Sequence, residues 1–114
     1  MAMDIDFENI DPFIRSLVKE VNELGFSTAA SCSGLQYDHL KKNYLFSPYL
    51  VIFDDCYGGV RKLLLAFISG SWSQRYDQNE RTIFLSLDVE LTDSEKENAW
   101  KQLRKNLRNA AMHL

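Results

Sequence analysis

Apolar residues recur along this chain with two different periods, and the switches between them mark out its elements. Ile10, Phe13, Ile14, Leu17, Val18, Val21 and Leu24 stand three and four apart, the spacing of one helix face. Asp11 as N-cap and Pro12 at the first helical position open that helix, and Gly25 supplies the residue that ends it, so the pattern predicts a helix over 12–24. Phe26 to Cys32 then reads as a strand, and Tyr49 to Phe53 as a second one rich in β-formers. Val60, Leu63, Leu64, Phe67 and Ile68 return to helical spacing after Gly58 and Gly59, with an end near Ser69 and Gly70. Trp72, Gln74 and Tyr76 alternate over residues 71 to 76, as do Ile83, Leu85, Leu87 and Val89, and the polar stretch Asp77 to Glu80 joins them as a hairpin. Thr92 and Glu95 have capping-box spacing, which starts a last helix near Asp93. Its apolar stripe is Trp100, Leu103, Leu107, Ala110 and Leu114, opposite Lys101, Arg104, Lys105 and Arg108.

The order is therefore α-β-β-α-β-β-α, which implies an α+β fold: a four-stranded, mostly antiparallel sheet packed with three helices. Helices 1 and 2 are expected on one face, with helix 3 closing the layer. A helix-glycine-strand junction occurs at Leu24, Gly25, Phe26 and again at Ser69, Gly70, Ser71, which suggests two αββ units, 12–53 and 58–91, followed by the last helix. At 114 residues the expectation is a single domain spanning 1–114.

Composition narrows the function classes. With 46% hydrophobic and 25% charged residues the chain can offset its ordering entropy, so disorder is excluded. The formal net charge of −3 gives no general attraction to nucleic acid or anionic lipid, so any such affinity has to be local. Two cysteines, Cys32 and Cys56, and no signal-like opening point to a reducing cytoplasm. The longest apolar run, around Leu63 to Ile68, is too short to span a bilayer, so no membrane partner is expected.

The strand from Phe26 runs into Ser31, Cys32, Ser33 and Gly34, where small polar side chains and backbone N–H groups could cradle an anion; the same residues also make an ordinary turn. The long connection from Ser33 to Pro48 is of the length that carries function. Within it His39, Lys41 and Lys42 lie among Tyr37, Tyr44 and Phe46, a mixture suited to base stacking and phosphate neutralisation.

Thr28 to Gly34, following a helix and the pair Gly25 and Phe26, resembles the SCSG signature of the wybutosine-synthesizing tRNA methyltransferase family over the first third of the chain. It also resembles small prokaryotic proteins that carry an SCSG turn and no assigned activity, the closer of the two likenesses. The first resemblance implies an enzyme that uses S-adenosylmethionine to methylate a modified guanosine in tRNA. Outside that resemblance no cofactor is expected.

Other constellations are less specific. Cys32, His39, Cys56, Asp54 and Asp55 are ligand types that suit zinc or iron, but no CxxC or HxxxH spacing occurs. An antiparallel first pair of strands would separate the cysteines by about 20 Å. Cys32 with His39 as base would make a nucleophile, against the commoner fate of a lone thiol as a small buried hydrophobe. Asp54 and Asp55 read better as caps of the following turn than as a magnesium site. The leading expectation is a small binding domain whose ligand site comprises Ser31, Cys32, Ser33, Gly34, Tyr37, His39, Lys41 and Lys42, with a nucleotide or RNA fragment favoured. The alternatives are the methyltransferase-like enzyme and an interaction module that self-assembles through Trp72, Tyr76 or a sheet edge.

Overall fold

Pro12 has no amide to leave unpaired, and it opens a single 3-10 turn, Pro12–Ile14, that runs into α1, Arg15–Glu23. The computed structural model describes residues 10–35, 47–68, 70–87 and 90–114. Leu17, Val18 and Val21 form the buried stripe of α1, and Gly25, at φ +112°, turns the chain back. Asn22 ties this helix to the strand that follows: its amide donates to the Thr28 hydroxyl and accepts from the Thr28 N–H.

The sheet has the order β1-β2-β4-β3, with β1 Thr28–Cys32, β2 Tyr49–Phe53, β3 Ser73–Asp77 and β4 Thr82–Ser86. All three pairings are antiparallel. The second helix, α2, covers Gly59–Phe67, and α3 covers Asp93–Ala111, so the element order and the fold class are those that the periodicity predicts. Leu50, Ile52, Ile83 and Leu85 point to one side of the sheet, where they join Leu17, Val18, Leu64, Trp100, Leu103 and Leu107 in one buried cluster. The radius of gyration, 13.6 Å, is the size expected of one core in a chain of this length. No helix among the described residues is long and apolar enough to cross a membrane.

Several boundaries move. Phe26 lies before β1, not in it; its N–H bonds back to Val21 O and its ring is buried in the core. The second helix stops at Phe67, and β4 ends at Ser86, so Val89 lies outside it and outside the described residues. Trp72 is not an exposed assembly surface: it is buried edge-on against Trp100, ring centroids 4.8 Å apart, and its indole N–H donates to Ala99 O. Tyr76 is half-buried beneath Arg61. Leu114, expected in the apolar stripe of α3, is 55% exposed because the helix ends at Ala111.

Two polar devices hold α3. Thr92 Oγ1 accepts from the Glu95 N–H while the Glu95 carboxylate accepts from the Thr92 N–H, the reciprocal capping box that the sequence predicts. From the basic face of α3, Arg104 and Arg108 clasp Glu20 of α1; Arg104 Nη2 is 2.6 Å from Glu20 Oε1. The hydrogen bonds from Arg108, with help from Arg104, hold the Glu20 carboxyl at about 2 against an ordinary 4.5.

Removing the Thr92 hydroxyl in Thr92→Ala should lower stability by about 1 kcal/mol in urea titrations. The Glu20 clasp predicts a pH signature. A carboxyl whose folded value is depressed contributes stability above its unfolded value, and that stability is lost as pH falls from about 4.5 to about 2. Glu20→Gln should therefore lower the unfolding midpoint at pH 7 and flatten the acid limb across that window.

Candidate functional site

Beyond Cys32 the chain leaves the sheet, and the two residues that follow are held by three side chains from two distant parts of the sequence. The Ser33 N–H donates to the Asp11 carboxylate at 2.7 Å. Ser33 O accepts from the Trp100 indole N–H and Gly34 O from the Lys96 ammonium, both at 2.8 Å. Ser33 Oγ accepts from the Leu35 N–H, closing a local hydroxyl turn. Gly34 is required twice over: its φ is +71°, and a Cβ there would lie 2.4 Å from Pro48 Cγ.

Lys96 is the unexpected member of this group. Its side chain is 1% exposed, and an ammonium taken out of water needs close acceptors to offset several kcal/mol of lost hydration. A charge-assisted bond to a carbonyl is one such contact. Lys96 stands one helical turn before Trp100, so the two donors reach adjacent carbonyls from the same face of α3. The sequence carried a signal for it: Lys96, Trp100, Leu103, Leu107 and Ala110 follow a four-three-four-three spacing, so the lysine continues the buried stripe. Asp11 was expected to cap α1 but makes no side-chain cap bond; its carboxylate serves the turn instead.

These contacts redistribute the expected roles. Ser33 is fully buried and its N–H and hydroxyl are both committed to the turn, so it fixes the backbone shape from within. The carboxylate received by this turn is the protein's own Asp11. Ser31 and Cys32 are half-buried, opposite Leu50 and Tyr49 of β2. Tyr37, His39, Lys41 and Lys42 lie outside the described residues, as do Tyr44 and Phe46.

Antiparallel pairing sets Cys32 beside Tyr49 at one end of β2, whereas Cys56 follows Phe53 at the other end. Asp54 and Asp55 act as caps: Asp54 Oδ1 accepts from the Asp55 and Arg61 N–H groups, and Asp55 Oδ1 from those of Tyr57 and Gly59. Among the described residues no three His, Cys, Asp or Glu side chains are grouped to hold a metal.

What the sequence did not reveal is the sheet face away from the helices. Residues paired across antiparallel strands share a face, so Cys32 and Tyr49 lie on the side opposite Leu50 and Ile52, together with Val51, Phe53, Phe84 and Arg75. None of these belongs to the core cluster or packs against it. Tyr49 stacks on Phe84, ring centroids 5.3 Å apart and planes 20° from parallel, and the Arg75 guanidinium stands 5.0 Å over the Phe84 ring. Burial pushes the Tyr49 phenol above its ordinary value, and charge interactions with Cys32 and Asp11 add to the effect. An aromatic and cationic band thus runs across the sheet to the SCSG turn. No family model matches the chain, and neither a curated protein nor a solved structure does.

Gly34→Ala should destabilise the fold by roughly 2 kcal/mol or more in denaturant titrations, since both the left-handed backbone and the Pro48 contact oppose a methyl group. Asp11→Ala, which leaves the Ser33 amide without its acceptor, should cost about 1–3 kcal/mol. Asp11→Asn, which keeps an acceptor oxygen, should cost less.

Proposed function

We propose that this domain binds a nucleotide or a short single-stranded RNA, laid across the sheet face away from the described helices, from Arg75, Phe84 and Tyr49 to Cys32 and the turn at Ser33 and Gly34. The observation that carries this reading is the Tyr49–Phe84 stack with Arg75 over the Phe84 ring, on the sheet face that no described helix covers. A four-stranded sheet with helices behind and aromatic rings in front offers bases a stacking platform, and a guanidinium supplies charge for phosphate. The turn supplies a fixed edge to that platform. In the sequence that follows the turn, Lys41 and Lys42 carry positive charge, and Tyr37 and His39 carry rings.

A cross-strand aromatic pair also stabilises a sheet by itself, by about 0.2–1 kcal/mol. Binding therefore has to be read separately from stability. With a net charge of −3 the affinity rests on this local band, so it should fall steeply with salt.

Fluorescence anisotropy with labelled single-stranded RNA, below the unfolding temperature of each variant, tests the reading. Phe84→Ala should weaken binding by about tenfold, as loss of one stacked base implies. Replacing Lys41 and Lys42 together by alanine should weaken it for every sequence and reduce the salt slope. The reading is overturned if RNA and mononucleotides fail to bind, or bind Phe84→Ala as tightly as the parent. A thermal shift with S-adenosylmethionine alone would point instead to the enzyme implied by the tRNA methyltransferase resemblance.

A further inference from the structure

The sheet ends in two edge strands, β1 and β3, which differ as surfaces for pairing. β1 carries no charged side chain, and its ladder with β2 is broken by a register shift between Thr28 and Ala30, an irregularity of the kind that blunts an edge. β3 has no such defence. All five residues of Ser73–Asp77 pair in unbroken register with β4, none is proline, and Ser73, Arg75 and Asp77 are exposed. No described strand lies beyond it, so its outward N–H and C=O groups stand in a row that a further strand can continue.

Charged side chains commonly guard an edge of this sort, but these alternate in sign. Arg75 and Asp77 lie two apart on the face away from the helices, paired with Phe84 and Thr82 of β4. Among the described residues neither has an ion-pair partner. Asp77 is held in place, because its Oδ1 accepts from the Asn79 and Glu80 N–H groups of the hairpin turn. An edge with charges of one sign repels a copy of itself, whereas this pattern is self-complementary. A two-fold axis perpendicular to the sheet sets β3 antiparallel to its own copy and keeps every helix on one side. With that axis at Tyr76, Arg75 of each copy faces Asp77 of the other, and Tyr76 faces Tyr76. Moving the axis one residue either way sets Arg75 against Arg75 or Asp77 against Asp77, which like-charge repulsion opposes. On the helix side, half-buried Tyr76 lies beside Leu65 of α2, which is 60% exposed and adds apolar surface at the same edge.

We propose that β3 is a dimerisation edge, at which two copies of this chain join antiparallel about Tyr76 so that their two four-stranded sheets become one. A five-residue edge buries less than the roughly 1,000 Å² of a stable interface, so the dimer is a weak one that forms with rising concentration. It does not depend on the RNA-binding reading, and it is measured without RNA.

Sedimentation of the full chain between about 10 μM and about 1 mM should show monomer passing to dimer and to nothing larger, because a two-fold contact closes on itself. Over the same range, hydrogen exchange of the β3 amides that face away from β4 should slow, while the edge of β1 stays unchanged. Arg75→Glu sets carboxylates against each other twice and should weaken the dimer by about tenfold or more. Raising salt should weaken the parent dimer and strengthen that of Arg75→Glu. Arg75→Glu combined with Asp77→Lys exchanges the signs and should restore most of the association, provided that thermal unfolding shows the hairpin turn intact. The proposal is overturned if the chain stays monomeric at about 1 mM, which would leave the edge to another protein's strand, or if Arg75→Glu dimerises as the parent does, or if protection appears at β1 and not at β3.

Discussion

The bond from the buried Lys96 ammonium to Gly34 O joins the last helix to the end of the first strand, and much of the molecule's geometry depends on it. Trp100 repeats the connection one turn later, and Asp11 completes it from the start of the first helix. Helix α3 is thereby placed against the sheet by polar contacts of defined direction as well as by its apolar stripe. Hydrophobic packing alone tolerates sliding of a helix along a sheet. A cation aimed at one carbonyl and an indole aimed at the preceding one do not, because any shift leaves buried polar groups unpaired.

The same arrangement divides the sheet into two faces with different roles. One face meets all three helices and is filled by Leu50, Ile52, Ile83 and Leu85. The other keeps Tyr49, Val51, Phe53 and Phe84 half-buried, with cationic Arg75 at its edge. Because β2 and β4 are the central strands, their outward residues lie at the middle of that face, and the turn that Lys96 and Asp11 hold stands at its margin. Rigidity at the margin and aromatic surface at the centre are the combination on which a recognition surface relies.

How much of this was legible in the sequence follows from the range of each interaction. The capping box at Thr92 and Glu95 was readable because both partners lie within one helical turn and no distant group competes for them. The strand Tyr49–Phe53 was readable from its residue types alone. Asp11 was misread because its carboxylate had two kinds of donor available, the amides beside it and one far along the chain, and sequence proximity favoured the wrong one. Lys96 was passed over because lysine is rarely buried, although its position in the stripe of α3 marked it. The Tyr49–Phe84 stack was invisible for a different reason: it depends on strand order, and neither residue's own segment encodes which strand lies beside it.

The approach of Gly34 to Pro48 has a consequence for how such a domain can change over time. The two ends of the intervening stretch are held by groups outside it: Lys96, Trp100 and Asp11 on one side, and the ladder of β2 on the other. The entropy of closing a loop whose ends are already fixed grows only with the logarithm of its length, roughly 0.6 kcal/mol for each doubling. As far as closure entropy goes, a change in the number of residues between Leu35 and Ser47 therefore costs the scaffold little. In that sense the turn is a socket, whose two held ends keep their places whatever length of chain runs between them.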